Sequence, residues 1–503
     1  MKKINMNITR YHWAFIASGI VLILAGVSIY LRAGAMLHAE ADAYLICHLS
    51  DLPYLSKILS PHLVDAMDYM ARPVSHFFDN VDAHLFHFFF LLGIPLFISI
   101  STMVMLIILS AVLWFCAIYD VKAHPAIATL MLALLWTNPN VFLAGSLFRD
   151  AKIAATFFFI LAGLYAFHII WLNQQCRFRD FAIIFILAIL ACLSDPQGLA
   201  FVAMLTGIAL IWAFFTTSQP AYVSFLSGSC ASLTYLFLSI VILPTLVAKY
   251  TWFNTHSAFV RYQDTDGGNL FISCFKYLWD GMLLHLDTIR FLFGNGPRIV
   301  IVAVLVFLFI GISKLNKHRV LIGFCFILLL VGNSVIDGAM IARHHALIWP
   351  EVMRGGYYQL PSVILFFTAF LFITPSVCKA FHISKEAFAV LLVIAVFLNI
   401  FSLPSHMRGI KGESANIYAT GSTMLHARLV HLSNTKPAGP ALPYNKARAC
   451  LSGSSGNDHL IAQLNIDGKL DTGTYLRTSY VYNYLRSEKG LPCFMPGTGE
   501  PLR

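Results

Sequence analysis

Long apolar segments dominate this chain and limit the folds it can adopt. Eleven occur, most of them about 20 residues long. A helix rises about 1.5 Å per residue, so roughly 20 residues cross the ~30 Å hydrocarbon core of a bilayer. We therefore predict an all-α polytopic membrane protein with about eleven transmembrane helices. The predicted spans lie near residues 12–31, 91–118, 125–145, 153–172, 180–194, 197–215, 221–247, 298–313, 319–336, 358–374 and 386–404.

The composition excludes several classes of protein. Of the 503 residues, 58% are hydrophobic and only 12% are charged, whereas globular domains carry about 25% charged residues. Such a chain has too little polar surface for a cytosolic enzyme, a disordered protein or a nucleic-acid-binding module. The sequence also has no Walker loop, GxGxxG, HExxH or GxSxG pattern, so nucleotide hydrolysis is not the expected energy source.

Basic residues between the spans predict the orientation of the chain. Cytoplasmic connections are enriched in Lys and Arg, and here the basic residues recur in every second connection. The pattern predicts a cytoplasmic N-terminus, and an odd number of spans then places segments 32–90 and 248–297 and the C-terminal tail outside. In a bacterial cell this is the periplasmic face of the inner membrane. The basic residues are Lys2, Lys3, Arg10, Lys122, Arg177, Arg179, Lys314, Lys317, Arg319, Lys379 and Lys385.

The composition changes abruptly after Pro404. Residues 405–503 are richer in Gly, Ser, Pro and Asn, and their eleven Lys and Arg against six Asp and Glu supply +5 of the net charge of +10. We predict a transmembrane catalytic module at 1–404 and a small extracytoplasmic C-terminal domain at 405–503. Cys450 and Cys493 both fall in this tail, where an oxidising compartment would allow a disulfide. Two free thiols in a loose tail are the alternative.

The first outer segment carries the first candidate chemistry. Glu40 and Asp42 come just after the membrane exit, where two carboxylates can hold a divalent cation or act as a general base toward a hydroxyl. A solvated acidic loop is the alternative. The apolar spacing over 52–70 predicts a helix lying on the membrane surface. Arg72, which follows it, can hold a phosphate or anchor the chain to lipid headgroups.

Three further polar groups fall on the same predicted side. Asp150 and its basic neighbours follow the third span, and Asp195 joins the fifth and sixth spans. Asp195-Pro196 followed by Gly198 is also good turn chemistry. The loop before the tenth span combines arginines and tyrosines, which can grip a phosphate and stack on a sugar, although aromatic and basic belts occur at membrane boundaries without catalysis. The candidate substrate-binding residues are Arg72, Arg149, Lys152, Asp195, Arg343, His344, Arg354, Tyr357 and Tyr358.

In layout, residues 1–404 resemble the GT-C superfamily of integral-membrane glycosyltransferases, which use lipid-phosphate sugars. The resemblance rests on acids after the first and third spans, an Arg-Pro before the second, a polar corner after the fifth and a late Arg with Tyr-Tyr. It implies that Asp42 is the catalytic base, with Glu40 as the neighbouring candidate, and that Asp150 binds a metal or orients the site. The sequence leaves the cofactor open: the resemblance allows a divalent metal ion, for which Asp42 and Asp150 are the candidate ligands.

The same resemblance implies phosphate contacts from Arg72, Lys152, Arg343 and Arg354. Two departures from the family pattern concern the metal and the donor contacts: the first loop has Glu-Ala-Asp where an adjacent acidic pair is usual, and Asp195 stands where a Lys is often found.

These observations predict a transferase that moves a sugar from a polyprenyl-phosphate carrier to an extracytoplasmic glycan or lipid, such as lipopolysaccharide or O-antigen. Its expected partners are that donor, that acceptor and the bilayer, and no nucleic acid. One alternative is an O-antigen polymerase or ligase, which would place its chemistry in a late outer loop. Another is a lipid-linked glycan flippase or transporter without bond chemistry, and the scarcity of charges deep in the spans disfavours it.

Overall fold

The computed structural model describes residues 10–32, 72–91, 99–138, 151–171, 175–243, 278–283, 331–338 and 360–409, with isolated positions at 58, 141, 245–246 and within 303–313. These residues form helices and no β-strand. Short helical segments lie at 278–283 and 331–338. The longer helices are α1 (Arg10–Arg32), α2 (Pro73–Leu91), α3 (Ile100–Tyr119), α4 (Pro125–Trp136), α5 (Ala151–Trp171), α6 (Phe178–Ser194), α7 (Pro196–Thr216), α8 (Gln219–Phe237, continued by a π-helical turn at Leu238–Ile242), α9 (Leu360–Ala380) and α10 (Lys385–Gly409).

Four stretches are long and apolar enough to cross a membrane, namely α3, α5, α7 and α8 with its π-helical turn. Shorter apolar helical stretches occur in α1, α4 and α9. Several large apolar side chains point outward, among them Phe214, Leu233 and Ile107. Such side chains are favourable in contact with lipid tails and unfavourable in water. The described part therefore has the character of a membrane-spanning helical bundle.

Two predicted spans differ from the helices. The segment 91–118 is divided, because α2 ends at Leu91 and α3 begins at Ile100, where the Ser99 side chain accepts a hydrogen bond from the Thr102 amide at 2.9 Å. The predicted span 125–145 contains a helix that ends at Trp136. Asn138 precedes Pro139 in the sequence, and a residue before proline disfavours helical geometry. The surface helix at 52–70, most of the spans at 298–313 and 319–336, and the tail from 410 lie outside the described residues.

The core has two groups of packed helices. In the first, the nearly fully buried α4 contacts α1, α3, α9 and α10. In the second, α5, α6, α7 and α8 pack against one another, with the rings of Phe159 and Phe201 stacked at 5.0 Å. Helix α5 also contacts α3 and α9 and so connects the two groups. Apolar burial and close packing hold these helices together.

Helices α5 and α6 run in opposite directions, because contacts join the end of α5 to the start of α6 and the start of α5 to the corner after α6. Their termini define two ends of the bundle. At one end, His168 near the end of α5 contacts Asp120 after α3 at 2.9 Å, and the Tyr165 hydroxyl donates to Asp180 in the first turn of α6 at 2.6 Å. We call this the Lys122 end, after the neighbouring basic residue. The opposite end contains the start of α5 and the corner between α6 and α7, and we call it the Asp195 end.

Helix α2 lies across the Asp195 end. Arg72, immediately before α2, pairs with Asp195 at the α6–α7 corner. Ten residues later, the Asp82 carboxylate accepts hydrogen bonds from the Ser99 hydroxyl and, at 3.0 Å, from the Ser101 amide at the start of α3. At about 1.5 Å per residue, this part of α2 covers about 15 Å, and it contacts α3, α5 and α6. It therefore connects the termini of three helices.

A glycine permits the sharp corner between α6 and α7. A Cβ atom placed on Gly198 would lie 2.1 Å from the carbonyl oxygen of Ala191 and 2.9 Å from the amide nitrogen of Cys192. Both neighbours are backbone atoms and cannot rotate away, so a larger residue requires the two helices to separate. The corner holds Asp195, and its geometry therefore controls the position of that side chain.

We predict that Gly198→Ala lowers the free energy of unfolding by about 1–3 kcal/mol, the usual cost of overpacking. Gly163→Ala is the matched control, because a Cβ at Gly163 meets no atom within 4 Å. Alanine has the higher helix propensity, by about 1 kcal/mol, so the control should be as stable as the wild type or more so. Denaturant unfolding of the purified protein in detergent measures both. Equal stability of the two variants would contradict the close packing at the corner.

Candidate functional site

Three candidate residues from distant parts of the chain meet at the Asp195 end. The Lys152 ammonium lies 2.9 Å from one carboxylate oxygen of Asp195, and a terminal guanidinium nitrogen of Arg72 lies 3.3 Å from the other. The side chains are 8%, 2% and 12% exposed for Lys152, Asp195 and Arg72. One buried carboxylate thus holds two buried cations. We call these three residues the Asp195 cluster.

Local sequence fixes the orientation of Asp195. It is the N-cap residue of α7, and its carboxylate accepts a hydrogen bond from the Gln197 amide at 2.9 Å. Pro196 occupies the first turn, where a missing N–H is tolerated. The turn chemistry seen in the sequence is therefore present, and the same carboxylate also binds Lys152 and Arg72. The capping bond holds the side chain in the position that the two cations require.

The electrostatics of the cluster favour an ionised carboxylate. Burial by itself would raise the pKa of Asp195, but the positive charges of Lys152 and Arg72, with hydrogen bonds from Lys152 and from the Gln197 amide, outweigh it and hold the pKa well below its ordinary value. The formal charge of the three residues is +1. A site with this excess, largely removed from water, favours an anion that comes within its reach.

A second buried carboxyl group lies near the cluster. Asp337 is fully buried near the end of the segment 331–338, within electrostatic range of Lys152 and close to the Ser362 hydroxyl at the start of α9. One turn earlier on the same segment, the Asn333 amide donates to Ser362 at 2.6 Å. Segment 331–338 and the beginning of α9 therefore also reach the Asp195 end.

The polar face of α2 continues the site along the end of the bundle. Ser75, His76, Asp79, Asn80 and Asp82 are all buried. Asp79 receives a hydrogen bond from Ser75 at 3.3 Å and contacts the His76 ring nitrogen at 3.2 Å. The Asn80 amide donates to the His76 carbonyl oxygen at 2.6 Å. These bonds all join residues of α2 and give partners to polar groups that packing of the helix buries.

The other candidate residues lie outside the described residues. In the described part of the chain, His, Cys, Asp and Glu side chains form no group of three or more that could hold a metal ion. The roles of the catalytic acids and the metal therefore stay predictions. The residues outside the described part are Glu40, Asp42, Arg149, Asp150, Arg343, His344, Arg354, Tyr357, Tyr358, Cys450 and Cys493.

Two parts of this site were not predicted from the sequence, namely the polar face of α2 and the polar residues of segment 331–338. Both are visible as a pattern in the sequence. In α2, polar residues at 75, 76, 79 and 80 alternate with Phe77, Phe78 and Val81, which is the period of a helix with one polar face. In the ninth apolar segment, Asn333 and Asp337 are one helical turn apart, and the predicted span ended just before the acid. In both cases, the polar residues indicate a buried polar face on a helix.

Comparisons with known proteins assign no family to the chain. It matches no protein-family model, no curated protein and no solved structure.

We predict that Asp195→Asn lowers the free energy of unfolding by about 3–5 kcal/mol, because it leaves two buried cations without their carboxylate. Asparagine is as good an N-cap as aspartate, so the decrease in the free energy of unfolding measures the effect of removing the negative charge. Asp195→Ala should cost about 1 kcal/mol more, through the lost cap.

The matched control is Asp120→Asn at the Lys122 end. Its partner His168 has a side chain that is 38% exposed, and a partly solvated pair contributes at most about 1 kcal/mol. Thermal and denaturant unfolding in detergent give the comparison. A loss no larger for Asp195→Asn than for Asp120→Asn would contradict the assigned charge pairing.

Proposed function

We propose that this protein is a GT-C-like integral-membrane glycosyltransferase, which transfers a sugar from a polyprenyl-phosphate carrier to an extracytoplasmic acceptor such as lipopolysaccharide or O-antigen. The observation that supports it best is the Asp195 cluster, in which two cations share one carboxylate at the end of an apolar helical bundle. A lipid phosphate has a matching shape, with its anionic group at the membrane boundary and its chain among apolar helices.

The cations suit the chemistry of the leaving group. In the proposed reaction, an acceptor hydroxyl attacks the anomeric carbon and gives its proton to a base, for which Asp42 is the predicted residue. The bond between that carbon and the phosphate oxygen breaks, and the polyprenyl phosphate leaves with the electron pair. Cationic donors such as Arg72 and Lys152 stabilise the charge that develops on this phosphate. A single displacement of this kind inverts the configuration at the anomeric carbon.

Asp195 acts in this proposal as a positioning residue. It keeps the arginine and lysine at a fixed separation and lets both remain buried and charged. A guanidinium has five N–H donors and an ammonium has three, so each cation can bind the carboxylate and a phosphate at once. Fixed donors of this kind need little reorganisation when the leaving group acquires charge.

The proposal is tested by neutralising one cation at a time. Arg72→Gln leaves a balanced Lys152–Asp195 pair, and Lys152→Gln leaves a balanced Arg72–Asp195 pair, so both variants should fold. We expect each to slow transfer by about 10- to 100-fold, because a charged hydrogen bond contributes about 1.5–3 kcal/mol. The assay follows radiolabelled decaprenyl-phosphate hexoses with the purified protein in proteoliposomes that contain lipopolysaccharide.

Arg179→Gln is the matched control, since its side chain is 71% exposed at the Lys122 end. It should transfer the sugar at the wild-type rate. Wild-type rates for folded Arg72→Gln and Lys152→Gln would contradict the assigned phosphate contacts. Wild-type protein that moves the lipid across the bilayer and transfers no sugar would contradict the proposal and favour the transporter.

A further inference from the structure

Two polar side chains beside the Asp195 cluster are buried with unused hydrogen-bonding capacity. Within the described part of the chain, both polar atoms of the Gln197 side-chain amide are inaccessible to solvent and form no hydrogen bond, and the equally inaccessible Asp337 carboxylate has the Ser362 hydroxyl nearby without a hydrogen bond of standard geometry. Asp337 is fully buried, and Gln197 is 7% exposed. Buried polar groups are usually satisfied, so two such side chains at one place indicate a site that favours a hydrogen-bonding ligand.

Both residues lie next to the same cluster, on two packed segments. The backbone N–H of Gln197 and the Lys152 ammonium bind the same carboxylate oxygen of Asp195, each at 2.9 Å, and the Lys152 charge also acts on Asp337. The segment 331–338 lies against α7, because a Cβ on Gly332 would come 2.3 Å from the Met204 sulfur. Met204 is two turns beyond Gln197, so the two segments run side by side toward the Asp195 end.

The backbone around Asp337 is closely packed. A Cβ on Gly281 would lie 2.2 Å from the Ser334 carbonyl oxygen, so the segment 278–283 is in close contact with 331–338. On the other side, Asn333 binds Ser362 of α9. Asp337 is thus held between neighbouring elements and cannot readily turn out to solvent.

We propose that Gln197 and Asp337 bind the hydroxyl groups of the donor's sugar, beside the cations that bind its phosphate. This inference rests on the proposed function. An amide offers donors and an acceptor, a carboxyl group accepts hydrogen bonds in either charge state, and a sugar hydroxyl both donates and accepts. A carboxyl and an amide next to the same pair of cations therefore suit a polyhydroxylated head group. A sugar hydroxyl would supply these buried groups with hydrogen-bond partners.

The test compares two probes that differ only by the sugar. One is radiolabelled decaprenyl phosphate, and the other is a decaprenyl-phosphate-linked hexose, chosen from glucose, mannose and galactose as the one that the wild type binds best. Gln197→Leu and Asp337→Leu, which replace a polar group by an apolar one of similar size, should each weaken binding of the sugar-bearing lipid at least tenfold and change binding of decaprenyl phosphate less than twofold. Gln197→Leu should also be as stable as the wild type, or more so, in the absence of lipid, because a buried amide is replaced by an apolar group.

Asn399→Leu is the matched control, a buried amide on α10 next to Thr137, and it should alter neither affinity. Equal loss of both lipids, or no loss of either, in Gln197→Leu and Asp337→Leu would overturn the sugar site. A wild type that binds decaprenyl phosphate with no preference for any sugar-bearing form would do the same. A wild type that binds neither lipid would overturn the proposed function itself. The two failures are therefore distinguishable.

Discussion

The carboxylate of Asp195 makes it possible for two cations to be buried at one end of an otherwise apolar bundle. Removing an ammonium and a guanidinium from water is costly, and the cost is offset only where a fixed counter-charge meets them. Asp195 supplies that charge from a helix corner, where the Gln197 amide holds it in place. The partners come from the start of α5 and from the residue before α2, so one interaction fixes three parts of the chain relative to each other.

The position of α2 follows from this constraint. Arg72 attaches its beginning to the α6–α7 corner, and Asp82 attaches its middle to the start of α3. Between these contacts, the helix turns a polar face toward the bundle, with Asp79 at the centre of a buried network. The Asp195 end is therefore rich in buried polar groups, whereas the long helices below it are held by apolar packing. The proposed reaction requires such a division, because a polyprenyl phosphate has a charged head group next to a lipid chain.

The four helices that are long and apolar enough to cross a membrane each overlap a predicted span, because hydropathy over about 20 residues is a strong signal. The sequence did not predict the break within 91–118, where the apolar character continues up to Ser99, the N-cap of α3. The local sequence context indicates three candidate substrate-binding residues that the structure brings together: Arg72, Lys152 and Asp195. Their convergence could not be predicted, since Lys152 and Asp195 are 43 residues apart and meet only when α5 packs on α6 and α7.

Asp337 and the polar face of α2 are not predicted from hydropathy for the same physical reason. Hydropathy over a window places the end of a span at a polar residue, so the predicted ninth span ends just before Asp337. For the same reason, hydropathy does not indicate the polar face of α2. In a membrane protein, such residues are buried against other helices, where they contribute specificity or bind ligands. Polar positions that recur with helical period inside apolar segments are therefore the better guide to a site.

The central claim is that the Asp195 cluster lies at the membrane boundary and binds a lipid phosphate. An experimental structure of the protein in lipid nanodiscs with decaprenyl phosphate tests it directly. We expect the phosphate within hydrogen-bond distance of Arg72 or Lys152, with the isoprenoid chain running along the apolar helices from the Asp195 end. A phosphate bound elsewhere, or Arg72 and Lys152 separated from Asp195, would contradict it.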